Sequence, residues 1–199
     1  MTWLKICGIT RAEDALRAAA LGADAVGMVF AESPRRLEPE EACAISRALP
    51  DTVLKVGVFK NAPRDEVLGA ARLCGLDMLQ FHGEEEAEFC ESFSLPYLKA
   101  VSLSEKIPED YGHPRCFALL ADAPGLQGGS GINCDWELAA AVAAGRRLIL
   151  AGGLRPDNVG EALRGVRPFG VDVASGIESA PGTKDAELMR RFVQEVKES

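Results

Sequence analysis

The sequence predicts a closed α/β barrel, and three observations carry that prediction. Strand-like and helix-like hydrophobic periods alternate along the whole chain, the pattern of a parallel sheet with crossover helices. The alternation gives eight strand signals, more than the six or so of an open doubly wound sheet. The first strand runs into Cys7-Gly8-Ile9-Thr10, with none of the G-x-G-x-x-G turn of a dinucleotide-binding fold. At 199 residues the chain sits near the lower limit of about 200 for an eight-unit barrel, so its connections must be short.

Each element has a local reason. Residues 3–7 form the first strand, stopped by Gly8. Thr10 and Glu13 have capping-box spacing and open a helix over 11–21, closed by Gly22. Strand 24–30 precedes helix 39–48, which carries Pro39 near its first position. Strand 53–59 with helix 64–73 and strand 77–81 with helix 84–93 repeat the unit. Strand 96–101 leads into 104–112, where Pro108 and Gly112 predict a fifth helix that is short or missing. Strand 116–121, a glycine-rich loop and helix 135–144 follow. Strand 147–151 with helix 156–164, then strand 170–174 with helix 184–197, complete the series. No linker or low-complexity stretch divides residues 1–199, so a single catalytic domain is expected.

Composition narrows the partners. Hydrophobic residues make 47% and charged residues 26% of the chain, which is ordinary for a soluble globular domain. A net charge of −8 argues against nucleic acid and anionic membranes, both of which need a basic face. No apolar run approaches the roughly 20 residues of a membrane span. The six cysteines form no C-x-x-C pair and only two histidines are available, so neither a disulfide scaffold nor a metal centre is expected. The expectation is a cytoplasmic protein with reduced thiols, monomeric or homodimeric, acting on a small phosphorylated molecule without cofactor or metal.

In such barrels the site lies where the strands end. Candidates there are Cys7, Arg35, Arg36, His82, Asp122, Gly128 to Gly131, Gly152, Gly153, Asp172, Ser175 and Gly176. Gly152-Gly153 after the seventh strand and Ser175-Gly176 after the eighth could bring backbone N–H groups to a phosphate. Tight turns alone would also use these residues, but two such loops at the usual phosphate position favour an anion. Cys7 could be a buried small hydrophobe or, as a thiolate at the rim, a base. Asp122 could be a turn former or the acid partner of that base. Arg35 has the planar fork that suits a carboxylate, a surface ion pair being the alternative. His82 could do no more than bond a neighbouring loop. A period of two turns Asp172 into the barrel and puts Lys5 on the face of Cys7, which predicts an interior Lys5–Asp172 ion pair between the first and last strands.

The motifs Leu4-Lys-Ile-Cys-Gly-Ile-Thr10, Ser33-Pro-Arg35, Gln80-Phe-His-Gly83, Ala151-Gly-Gly-Leu154, Asp172-Val-Ala-Ser-Gly176 and Pro181-Gly182 with Lys184-Asp185 occur in an order that resembles the phosphoribosylanthranilate isomerase family, almost end to end. The resemblance implies a (βα)8 TIM barrel performing the Amadori rearrangement of tryptophan biosynthesis without cofactor or metal. It implies Cys7 as general base at the second sugar carbon and Asp122 as general acid at the ring oxygen. It further implies Arg35 for the anthranilate carboxylate and the Gly152, Gly153, Ser175 and Gly176 loops for phosphate. By their positions on the strands, Lys5, His82 and Asp172 are expected to support these residues. The family's Leu-Leu-Asp is here Leu119-Leu120-Ala121-Asp122, so the acid position falls on Ala121 or Asp122 according to register. No other carboxylate lies in the following loop before Gly128, and the acid is assigned to Asp122. Ala174 and Phe81 stand where the family has serine and leucine.

Two other readings compete. A ribulose-phosphate epimerase would need a metal-binding His/Asp set, and the histidine-pathway isomerase an aspartate at the position of Cys7. A non-catalytic sensor of phosphate ligands on the same barrel would bind without turnover.

Overall fold

The computed structural model describes residues 2–103, 113, 115–122 and 135–199. Eight parallel strands follow one another around a closed barrel, the last pairing with the first. They are β1 (Trp3–Ile6), β2 (Ala25–Val29), β3 (Leu54–Phe59), β4 (Met78–Phe81), β5 (Tyr97–Ser102), β6 (Ala118–Asp122), β7 (Leu148–Leu150) and β8 (Gly170–Val173). Among the described residues seven helices surround it: α1 (Ala12–Leu21), α2 (Pro39–Ala48), α3 (Arg64–Cys74), α4 (Ala87–Glu91), α5 (Trp136–Ala143), α6 (Val159–Val166) and α7 (Ala186–Glu198). All eight expected strands are present. The expectation for 104–112 lies outside the described residues.

Strand alternation sorts the core into two regions. Ala25, Val56, Met78, Leu98, Leu120 and Ile149 fill the barrel interior. Residues of opposite parity, such as Leu4, Val26, Leu79, Leu119 and Val171, pack with Ala15, Val67 and Phe192 of the helices. Each large aliphatic side chain buried this way contributes about 1.5–3 kcal/mol, the main favourable term in folding. Trp3, Phe117 and Phe169 meet at the N-terminal end of the barrel, with ring centroids 5.8–6.4 Å apart. The Arg147 guanidinium lies 5.2 Å and 5.4 Å from the centroids of Phe117 and Phe169, within cation–π range.

Several boundaries differ from expectation, most of them because a tertiary partner claims the residue. Thr10 does not cap α1: its hydroxyl donates to Gly182 O, and Arg11 takes the cap position without a side-chain bond. Helix α4 is shorter than 84–93 because Glu85 turns inward, accepting from Asn61 N and Gly83 N and pairing with Lys99 at 2.9 Å. Helix α6 begins at Val159 rather than 156, since Asn158 Oδ1 accepts from Arg155 N and holds a turn. After β8 comes a 3₁₀ turn (Ser175–Ile177), then a hairpin of β9 (Glu178–Ala180) and β10 (Thr183–Lys184). The hairpin removes Lys184 from the last helix, and Asp185 caps α7 by accepting from Glu187 N and Leu188 N.

Candidate active site

A pocket of about 530 Å³ opens at the C-terminal ends of the strands. Cys7, Arg35, His82, Asp122, Gly152, Gly153, Asp172, Ser175 and Gly176 all line it, so the rim gathers residues that are far apart in sequence.

Cys7 follows β1, and its N–H donates to Val173 O at 2.8 Å, tying it to β8. The residue is only 8% exposed. Space for it comes from the neighbouring strand: a Cβ on Gly27 would lie 2.7 Å from Cys7 Sγ and 3.1 Å from Lys5 Cε. Lys5 sits one layer deeper, fully buried, with Nζ 2.9 Å from Asp172 Oδ1. The two residues are direct partners in the β1–β8 register, as their parity predicts. Burial pushes the Cys7 thiol above its ordinary range, with Lys5 pulling the other way. Burial also opposes the charge on Lys5, but Asp172 and Cys7 outweigh it and raise that ammonium's pKa.

Arg35 reaches the pocket through a local turn in which Ser33 Oγ accepts from Arg35 N. Its stem crosses Gly8, where any Cβ would overlap Arg35 Cδ. The glycine of the opening motif therefore makes room for an arginine on the next loop. Glu178 of the hairpin meets the guanidinium edge, accepting from Nε at 2.8 Å and Nη2 at 2.6 Å. This bond raises the Arg35 pKa further. Glu178 is held below the usual carboxylate range: burial raises it, but Arg35 and Lys184 outweigh burial. Lys184, its other partner, is lowered by desolvation. Arg36 instead turns outward, half exposed, toward Glu38.

Strand β6 brings Asp122, not Ala121, to the pocket. Leu120 belongs to the interior and Ala121 to the packing under the helices, so alternation returns Asp122 to the pocket. Its Oδ2 is 3.2 Å from His82 Nε2. On the other side of the ring the Gln80 side-chain amide lies 3.3 Å from His82 Nδ1, so the imidazole is held between Gln80 and Asp122. Gln80 is buried, and its Oε1 has no partner among the described residues.

Gly152 and Gly153 adopt φ of 76° and 69°, a conformation that side chains disfavour. Gly176 presses against the same loop, since a Cβ there would overlap Leu154 O. Among the described residues no backbone acceptor takes the N–H groups of Gly152, Gly153, Ser175 or Gly176, leaving them available to an anion at the pocket edge. Gly128 to Gly131 lie outside the described residues.

Sequence reasoning missed Glu178, Gln80 and the position of Lys184. Glu178 and Lys184 flank a Pro181-Gly182 turn, which was a usable hairpin signal. Gln80 shares the parity of His82, which places it facing inward.

A parallel barrel that gathers a thiol, an imidazole–carboxylate pair and an arginine around one rim pocket has the layout of a barrel enzyme. The chain belongs to the N-(5'-phosphoribosyl)anthranilate isomerase family, whose model, described as N-(5'phosphoribosyl)anthranilate (PRA) isomerase, matches residues 4–195. A relative of that name from Pseudomonas aeruginosa is 48% identical, covering 98% of this chain and 94% of its own length. The solved phosphoribosyl anthranilate isomerase of Thermus thermophilus superposes with a TM-score of 0.91 at 42% identity, covering 99% of both chains. Another solved isomerase, 40% identical with a TM-score of 0.87 over the full length of both chains, holds reduced 1-(o-carboxyphenylamino)-1-deoxyribulose 5-phosphate.

Proposed function

We propose that this barrel, acting as one catalytic domain, isomerises N-(5-phosphoribosyl)anthranilate to 1-(2-carboxyphenylamino)-1-deoxyribulose 5-phosphate, with Cys7 as base and Asp122 as acid. The observation that carries the reading is the convergence of Cys7, Asp122, Arg35 and two glycine loops on one pocket. Asp122 gives a proton to the ribose ring oxygen; the C1–O bond breaks as the nitrogen lone pair forms the C1=N bond. The Cys7 thiolate removes the proton from C2, and the electron pair moves through C1 to nitrogen, giving an enolamine. Loss of the C2 hydroxyl proton and protonation of C1 yield the ketone. Protons move and no electrons are gained or lost, so the balance requires no redox partner.

His82, held by Gln80, orients Asp122 in this scheme. Lys5, paired with Asp172, places positive charge beside Cys7 and favours the thiolate as the base forms. Arg35 receives the anthranilate carboxylate, and the loops at Gly152, Gly153, Ser175 and Gly176 hold the phosphate. All of these residues come from one chain, so a monomer or a homodimer is equally able to work, and sedimentation distinguishes them. No helix among the described residues is long and apolar enough to cross a membrane; together with the free thiols this supports a cytoplasmic location.

The test is the decay of substrate fluorescence on adding purified protein without metal or cofactor. Binding without turnover would support the sensor, and turnover abolished by a chelator the metal-dependent epimerase.

A further inference from the structure

We propose that Glu178 is a positioning residue that presents Arg35 to the substrate carboxylate. The inference rests on the reading of Arg35 given above and names the residue that makes that arginine effective.

Glu178 holds the side edge of the guanidinium through Nε and Nη2. The pair is shielded, with side chains 11% and 5% exposed. Glu178 is itself pinned from behind: its Oε1 also accepts from Lys184 Nζ at 2.8 Å and Gly182 N at 3.3 Å. Lys184 is in turn fully buried and donates to Ala174 O at 3.0 Å. A carboxylate with so many donors cannot swing aside. Gly8 closes the opposite side by letting the Arg35 stem lie against the β1 loop.

What remains is the end edge of the guanidinium. Nη1 has no hydrogen bond among the described residues, and Arg35 lines the pocket. Nη1 and the second proton of Nη2 make a fork suited to another planar carboxylate. Charge points the same way: two cations, Arg35 and Lys184, share one anion, Glu178. The cluster therefore keeps a net positive charge at a position that Glu178 fixes.

The experiment compares steady-state kinetics on two substrates, N-(5-phosphoribosyl)anthranilate and N-(5-phosphoribosyl)aniline, which lacks the carboxylate. Glu178→Gln raises KM for the first by about tenfold or more with kcat little changed, and leaves kcat/KM for the second near wild type. In an Arg35→Ala background, Glu178→Gln has no further effect on the first substrate. Glu178→Asp keeps the charge opposite Lys184 but cannot span both Nε and Nη2. It gives a smaller rise with the same selectivity, and carries the test if the Gln variant does not fold. A folded Glu178 variant that loses equally on both substrates, or on neither, overturns the proposal. If Arg35→Ala itself loses equally on both, the reading of Arg35 fails and takes the proposal with it. Selectivity in Arg35→Ala without selectivity in the Glu178 variants sinks the proposal alone.

Discussion

Lys5 and Asp172 occupy partner positions on β1 and β8, and their 2.9 Å ion pair crosses the strand pair that closes the barrel, one layer below Cys7. Lys5→Met leaves Asp172 buried without its cation. The expected cost is about 3–5 kcal/mol in a denaturant melt. Adding Asp172→Leu to that variant should recover much of the loss, because a buried pair can often be replaced by apolar groups. Unchanged stability in Lys5→Met would mean that the pair is not a buried one in solution.

Cys7→Ser and Asp122→Asn should each lower kcat by about 10²- to 10⁴-fold, with product binding little affected. The measurement is substrate fluorescence decay beside a product titration. Near-full activity of Asp122→Asn would move the acid role elsewhere on the rim.

The loops proposed to hold the phosphate make a separable prediction. Gly176→Ala puts a methyl group into Leu154 O and must force the two loops apart. Substrate KM should rise, and inhibition by inorganic phosphate should weaken by a similar factor. A rise in KM with phosphate inhibition intact would place the phosphate elsewhere.

Glu85 sets an acid limit on stability. Burial raises its pKa, but the bond from Lys99 and the backbone N–H groups prevail and hold it below the usual carboxylate range. A depressed carboxylate contributes stability above its unfolded pKa, and that contribution is lost as pH falls through the folded value. Glu85→Gln should cost about 3–5 kcal/mol at neutral pH, since Lys99 stays buried unpaired. Melts of wild type and variant should converge on acidification; a constant gap between pH 7 and pH 3 would exclude this linkage.

The strands were legible because each carries its own period and Gly or Pro punctuation. The same parity placed Lys5 with Asp172, two residues 167 apart in sequence. Helix ends were less legible, and three of them for one reason. Thr10, Glu85 and Lys184 look like helix residues locally, but Gly182, Lys99 and Glu178 bind them from distant segments. The hairpin was missed because strands of three and two residues are too short to show a period. Glu178 reads as a solvated charge in sequence; only its contact with Arg35, 143 residues away, reveals it.

The aromatic floor of Trp3, Phe117 and Phe169, with Arg147 against two of its rings, lies at the opposite end of the barrel from every residue of the pocket. Part of the barrel's durability is thus written away from the residues that face the substrate. Changes at the floor alter how long the barrel survives heat, whereas changes at the rim alter what it accepts. A lineage, or an engineer, can therefore strengthen the lower end without touching the residues that line the pocket.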